Sequence, residues 1–203
     1  MNHIIMDKEF KLIFATKNKG KYDEVKKMMP INISLMSLND LNFNEDIEET
    51  GETLIQNAKI KSDFIFNKYR INCFADDTGL EIDSLNGLPG VYSARFAGKN
   101  CNTQENIEKV WDLLTGYKNR KARFKSVFSL NLNGKTFIFE GEIDGEIIFQ
   151  QKGQNGFGYD SIFIPKGYTK TFAELNLIEK NKISHRSEAL KRLIIFLDKQ
   201  KYL

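Results

Sequence analysis

Short apolar runs alternate along this chain with stretches in which apolar residues recur every three or four positions. Leu12, Ile13, Phe14 and Ala15 predict a buried strand, and Tyr22, Val25 and Met29 follow at helical spacing until Pro30 stops the helix. A second strand is expected around Ile33 to Met36. From Glu52 to Tyr69 the period is again helical, with Leu54, Ala58 and Ile65 on one face and Asn57 and Lys61, four apart, as a polar stripe beside them. Cys73, Phe74 and Ala75 predict another buried strand, which Asp76 and Asp77 end ahead of the breaker Gly79. Between Asn102 and Gly116, Ile107, Val110, Trp111 and Leu114 form the stripe of an amphipathic helix, with Gly116 as its C-cap. The period then changes to two: Phe124, Ser126, Phe128, Leu130 and Leu132 alternate with mostly polar residues, Asn133-Gly134 signals a hairpin, and Phe137 to Phe149 returns as strand. A last strand is expected at Ser161 to Pro165. Ser184 is placed to N-cap a final helix that buries Leu190, Leu193, Ile194 and Leu197.

Strand-helix alternation followed by a hairpin predicts an α/β fold with a mixed sheet. The 203 residues, 41% hydrophobic and 28% charged, are expected to form one globular domain, residues 1–203, in which 1–11 are an N-terminal extension and the start of the first strand. No apolar run approaches the roughly 20 residues of a membrane span, and MNHIIMDKEFK lacks the apolar core of a secretory signal, so no membrane partner is expected. Cys73 and Cys101 form no disulfide framework, which points to a reducing cytoplasm. The net charge of +3 is small, and acids are interspersed with the bases nearly everywhere except around Lys17, Lys19 and Lys21. That distribution argues against a nucleic-acid polymer and suits a small anion.

Three local features carry candidate chemistry. Asp76 and Asp77 are poorly placed for folding but well placed for chemistry, because ligands of open α/β sheets sit beyond the carboxyl ends of strands. The bland reading of the pair is a solvated turn. Thr16 to Lys21 is a strand-to-helix turn, a geometry that aims backbone N–H groups at an anion; Thr16, Asn18, Gly20 and Lys21 add a hydroxyl, an amide, a free backbone and a charge. It contains no GxxxxGK[ST], so it is not a P-loop, and read alone it is equally a solvated lysine-rich turn. His185 and Arg186 fall in the first turn of the last helix, where positive side chains oppose the helix dipole; an anionic or acceptor-rich ligand would resolve that conflict. Lys180 lies just upstream. Glu48 and Glu49 precede a helix whose dipole they could serve. Asn57 and Lys61 either reach a ligand or lie exposed, and Phe157 and Tyr159 in GQNGFGYD either stack on a flat ring or belong to the core. The antiparallel hairpin offers no evident chemistry.

FATKNKGKYDEV, EETGETLIQNAKIKS, FADDTGLEIDSLNGLPGVYSARFAG, GFGYDSIFIP and EKNKISHRSEALK, in that order, resemble the inosine triphosphate pyrophosphatase family, the non-standard purine nucleoside triphosphate pyrophosphatases. The likeness runs from Leu12 through essentially the whole chain. Thr78 stands where bacterial members often have Ser, and Lys17 replaces a common small residue. The resemblance implies an elongated mixed sheet flanked by helices, two lobes with an active-site cleft between them, a homodimer, and Mg²⁺-dependent cleavage of ITP, dITP or XTP to monophosphate and pyrophosphate. It also implies roles for individual residues. Asp77 would be the catalytic carboxylate, as metal ligand or as general base, supported by Asp76, with Glu49 a further Mg²⁺ ligand and Thr78 assisting. Thr16, Lys17, Asn18, Lys19, Gly20 and Lys21 would hold the triphosphate with Lys61. Phe157, Gly158, Tyr159, Asp160, Lys180, His185 and Arg186 would read the nucleoside. A related pyrophosphatase for pyrimidine or modified nucleotides is the alternative within enzymes, against which Ser184-His185-Arg186 argues; a non-catalytic nucleotide sensor is the alternative outside them.

Overall fold

In the computed structural model, which describes residues 10–202, the chain runs β1 (Phe10–Phe14), α1 (Lys19–Lys26), β2 (Ile33–Ser37), α2 (Leu54–Tyr69), β3 (Cys73–Ile82), α3 (Thr103–Leu114), β4 (Lys121–Leu132), β5 (Lys135–Ile147), β6 (Phe163–Pro165), α4 (Leu177–Ile183) and α5 (His185–Lys199). Apart from Phe10 and Lys11, which begin β1, the expected N-terminal extension lies outside the described residues. The strands form one sheet in the order β2-β1-β3-β4-β5-β6. β1 pairs in parallel with β2 and β3, and every later pairing is antiparallel, so the sheet is mixed as expected.

Alternate residues of β3 point to opposite faces of the sheet, and each face is packed differently. On one face Phe74 stacks with Phe14 and Phe128 and packs beneath Ala189, Leu190 and Leu193 of α5. On the other, Cys73 and Ala75 lie with Ile13 against Ile65 of α2. Further along β3, Leu80 and Ile82 join a separate cluster with Phe124, Phe163 and Phe172 and with Ile107 and Val110 of α3. Two apolar lobes thus occupy the two ends of the strand. Asp76, Asp77 and Thr78 lie between them.

Several boundaries differ from the sequence expectation. β3 does not end at the acids: it stays paired with β4 from Cys73↔Asn131 to Ile82↔Ala122, passing through Gly79. A Cβ at Gly79 would come 2.6 Å from the Gly90 carbonyl oxygen, so this glycine permits a close backbone approach rather than breaking the strand. Helix α1 stops at Lys26, short of Met29, because Met28 and Met29 both turn their N–H groups onto the Val25 carbonyl ahead of Pro30. Ser161 belongs to a 3₁₀ turn, Gly158–Ile162, which delays β6 to Phe163. The last element is two helices joined at Ser184, which accepts the Ser187 N–H as N-cap of α5.

Helix α5 seats its first turn directly on β5. A Cβ on Gly141 would collide with the His185 carbonyl oxygen and lie 2.5 Å from the Ala189 nitrogen, both backbone atoms that cannot swing aside. Gly141→Ala is expected to cost about 1–3 kcal/mol by overpacking and to displace His185 and Arg186. Thermal denaturation measures the first effect and the chemical shifts of the His185 ring the second; an unchanged melting temperature would show that the contact relaxes.

Candidate active site

The open edge of β3 defines the site. On that edge β1 makes its last pair at Phe14↔Phe74 and turns away. Contacts resume only where Leu80 N–H donates to Ser93 Oγ at 2.8 Å and Ile82 N–H to the Leu88 carbonyl at 3.1 Å. The interval holding Asp76 and Thr78 borders a cleft of about 460 Å³. The structure brings Thr16, Lys17, Asn18, Lys21, Glu49 and Lys61 to this cleft, together with Phe157–Asp160, Lys180, His185 and Arg186. Lys19 is the exception: its Nζ points away to pair with Asp23 at 2.6 Å, one turn along the exposed face of α1. Gly20 serves by its smallness, since a Cβ there would lie 2.6 Å from the Phe157 ring.

Adjacent residues of a strand project oppositely, and this separates the two acids. Asp76, 2% exposed, faces α1 and α5: Lys21 Nζ donates to its Oδ1 at 3.0 Å, and Arg186 Nε to its Oδ2 at 3.3 Å. Thr78 Oγ1 lies 3.0 Å from the same Oδ2 and 3.1 Å from Ser126 Oγ, and accepts from Arg186 at 3.2 Å. Burial alone would raise the pKa of Asp76, but Lys21 and Arg186 outweigh it and hold the carboxyl well below the carboxylate range. Asp77 faces α2. Lys61 Nζ lies 3.5 Å from its Oδ1 and 2.6 Å from Glu49 Oε1, while Asp77 Oδ2 is buried without a hydrogen-bond partner. Burial therefore prevails and raises the Asp77 pKa, although Lys61 and Lys21 oppose it. The same pairings work in reverse on Lys61: burial opposes its charge, yet Asp77 and Glu49 raise its pKa.

In the turn after β1, Thr16 Oγ1 accepts the Asn18 N–H, and Asn18 Oδ1 caps α1 by accepting the Lys21 N–H at 3.0 Å. Lys17 Nζ reaches across to Asp46 at 2.8 Å and lies over the Phe43 ring.

At the other end of the cleft the conflict expected at the start of α5 is resolved inside the protein rather than by a ligand. Arg186, 1% exposed, is paired with Glu24 of α1 as well as with Asp76. His185 is held neutral, its pKa driven well below the usual value by burial and then by Arg186, and its ring stacks on Phe124 with centroids 4.8 Å apart. Its Nδ1 is buried without a partner. Lys180 Nζ donates to Glu24 at 2.7 Å and to Asp160 at 2.5 Å, and lies 5.0 Å from the centre of the Phe157 ring. Asp160 accepts the Phe157 N–H at 2.9 Å, so the glycine-framed turn is closed by its own side chain. Tyr159 is a core residue, its hydroxyl donating to the Ser93 carbonyl at 2.9 Å.

The sequence reading gave no role to four contributors. Glu24 is 3% exposed and answers two cations; its signal was an acid on the face of α1 that also carries Val25 and Lys21. Arg95 reaches Glu49 from the turn after β3, at 3.5 Å. The hairpin is not inert, since Ser126 meets Thr78 and Phe124 supports His185.

Fold and cleft define an α/β protein in which a strand-to-helix turn, a fully paired acid and an acid with one unpartnered oxygen share one opening. The chain belongs to the Ham1 family, whose model matches residues 12–196, as the five ordered motifs implied. It is 52% identical over 189 residues to a dITP/XTP pyrophosphatase of Christiangramia forsetii, covering 93% of this chain and all of that one. It is 45% identical to the dITP/XTP pyrophosphatase of Bacillus subtilis, covering 92% of this chain and 96% of the relative. The Ham1 protein of Staphylococcus aureus has the same fold, with a TM-score of 0.85 at 38% identity over 94% of this chain and 99% of that one.

The buried pairs carry a definite pH signature. Burial raises the pKa of Glu24, but Arg186 and Lys180 outweigh it and bring it below its ordinary 4.5. Its contribution to stability is therefore full above that value and lost as the pH falls through the lower folded one. Removing one partner of such a network leaves buried charge uncompensated, typically at a cost of about 3–5 kcal/mol. Glu24→Gln should lower the melting temperature at neutral pH, with the gap from wild type closing as the pH falls below 4.5. Melting curves across pH test this; a gap independent of pH would assign Glu24 to packing rather than to charge.

Proposed function

We propose that this protein hydrolyses non-standard purine nucleoside triphosphates (ITP, dITP and XTP) to the nucleoside monophosphate and pyrophosphate. The observation that carries the chemistry is the division between Asp76, held charged and fully paired, and Asp77, which keeps a buried oxygen without a partner and a raised pKa. Substrate class comes from the relatives, which are named dITP/XTP pyrophosphatases over nearly their whole length.

Mg²⁺ fits this cleft. Six cationic and six acidic side chains line it, so an entering triphosphate meets no surplus of positive charge and needs a cation of its own. Glu49 and Asp77 would hold the ion, with the free Asp77 Oδ2 as the available oxygen. Two carboxylates suit an ion that takes its other ligands from phosphate oxygens and water. When bound, Mg²⁺ supplies charge neutralisation at the phosphates and acidifies a coordinated water.

The chain's own residues do the rest. The Thr16–Lys21 turn and Lys61 hold the phosphates in line. Asp77 accepts the proton of the attacking water through the carboxylate oxygen that does not hold the ion, and the water oxygen bonds to the α phosphorus as the bridge between the α and β phosphoryl groups breaks and pyrophosphate leaves. Phe157 offers a ring face to the base. His185 Nδ1 and Lys180 offer polar contacts to the 6-keto group that hypoxanthine and xanthine carry and adenine lacks. Two free cysteines accord with a cytoplasmic enzyme, and Leu88 and Tyr92, 43% and 50% exposed, give a homodimer an apolar surface.

Incubation with ITP and Mg²⁺ should yield IMP and pyrophosphate, with EDTA abolishing turnover and with ITP, dITP and XTP far ahead of ATP. Release of orthophosphate would sink the assignment. Asp77→Asn should lower kcat at least ~10²-fold while leaving the melting temperature unchanged or higher, because it removes a charge that burial disfavours. Near-normal turnover of that variant would refute the role of Asp77.

A further inference from the structure

Helix α2 directs two polar residues of one face, Asn57 and Lys61, into the protein, and only Lys61 lines the cleft. Asn57 is wholly buried. Its Oδ1 accepts the Gly51 N–H at 2.8 Å, and its Nδ2 has no partner. A buried amide that leaves its donor unmet is a poor choice for packing, so its place is explained by what the acceptor does.

That acceptor holds the chain that carries Glu49. Among the described residues, positions 44–52 make no backbone-to-backbone hydrogen bond. Their main chain is fastened upstream where Lys17 donates to the Asn44 carbonyl, and downstream at Gly51 by Asn57 and at Glu52 by Gln56. The contact at Gly51 is built for closeness: a Cβ there would lie 2.6 Å from Asn57 Oδ1 and 2.6 Å from Gln56 Cβ. Two residues before this fastening, the Glu49 carboxylate meets Lys61 at 2.6 Å and Arg95 at 3.5 Å. Asn57 and Lys61 stand one turn apart on the same helix. One therefore fixes the backbone beside Glu49 and the other its side chain.

We propose that Asn57 is a positioning residue for Glu49: by clamping the Gly51 N–H, the fastening nearest Glu49 in a segment without backbone-to-backbone pairing, it keeps the Glu49 carboxylate beside Lys61 and Asp77. The inference rests on the reading of Glu49 as a metal ligand and deepens it. Groups that orient a metal ligand typically change metal affinity or activity 10–100-fold when lost, roughly the effect expected here.

The test compares Glu49→Gln, Asn57→Leu and their double variant, each measured for Mn²⁺ affinity in the presence of a non-hydrolysable ITP analogue, by the electron paramagnetic resonance of free Mn²⁺, and for melting temperature. Asn57→Leu is expected to weaken Mn²⁺ binding roughly 10–100-fold, and the double variant to bind no more weakly than Glu49→Gln alone, since there is then no ligand left to position. Gly51→Ala, which pushes the same contact apart, should reproduce the loss and decides the matter if Asn57→Leu does not fold. Thr53→Ala, which removes the N-cap of α2 while leaving the bonds to Gly51 and Glu52 in place, should lower the melting temperature and leave Mn²⁺ affinity intact. If Glu49→Gln binds Mn²⁺ normally, the reading of Glu49 is wrong and the positioning role falls with it. If Glu49→Gln weakens binding as expected while Asn57→Leu and Gly51→Ala alter only the melting temperature, or if the losses simply add in the double variant, Glu49 stands and the role of Asn57 is overturned.

Discussion

Arg186 sits with 1% of its surface exposed between Glu24 and Asp76, and those two ion pairs tie α1, β3 and α5 together across the middle of the molecule. Such burial is expensive for each charge and is offset only when every partner is present. Lys180 extends the arrangement to Asp160, which in turn closes the turn bearing Phe157. The cleft wall on this side is therefore a connected set of charges, fixed before any ligand arrives. Around it the two apolar lobes can differ in composition, because each needs only to keep its end of β3 dry.

Against that fixed wall the opposite face of β3 is left incomplete. Asp77 is shielded enough to resist its charge yet has an oxygen that nothing among the described residues meets. The pleat makes this possible, since it sends neighbouring acids into different surroundings without any change of backbone. Stability is invested in Asp76 and withheld from Asp77, the pattern expected where a site keeps strain for its chemistry.

Much of this was legible in the sequence because it was local. The run Leu12–Ala15, of which all but Ala15 falls in β1, the run Cys73–Ala75, the alternation from Phe124 to Leu132 and the Ser184 cap each follow from neighbouring residues, and they appear as strands, a hairpin arm and a helix start. What was not legible depends on distant partners. Gly79 reads as a breaker until Gly90 is seen lying against it, and Glu24 reads as a surface acid until Lys180 and Arg186 close over it from more than 150 residues away. Lys19 and Lys21 are indistinguishable by composition; only the rotation of α1 sends one to Asp23 and the other to Asp76. Asn57 offered an amide at helical spacing from Lys61, and its partner lies in a segment with no periodicity to read.

The equal count of cationic and acidic side chains around the cleft also governs how a ligand gets there. Opposed charges this close cancel beyond about one Debye length, roughly 8 Å at physiological salt, so the opening projects little field into the surrounding solution. An anion is not drawn in from afar but sorted after it has arrived, by contacts that act at hydrogen-bonding range. Encounter is then governed by diffusion and by the width of the mouth. The rate of capture should barely respond to ionic strength, even though the cleft is lined by charge.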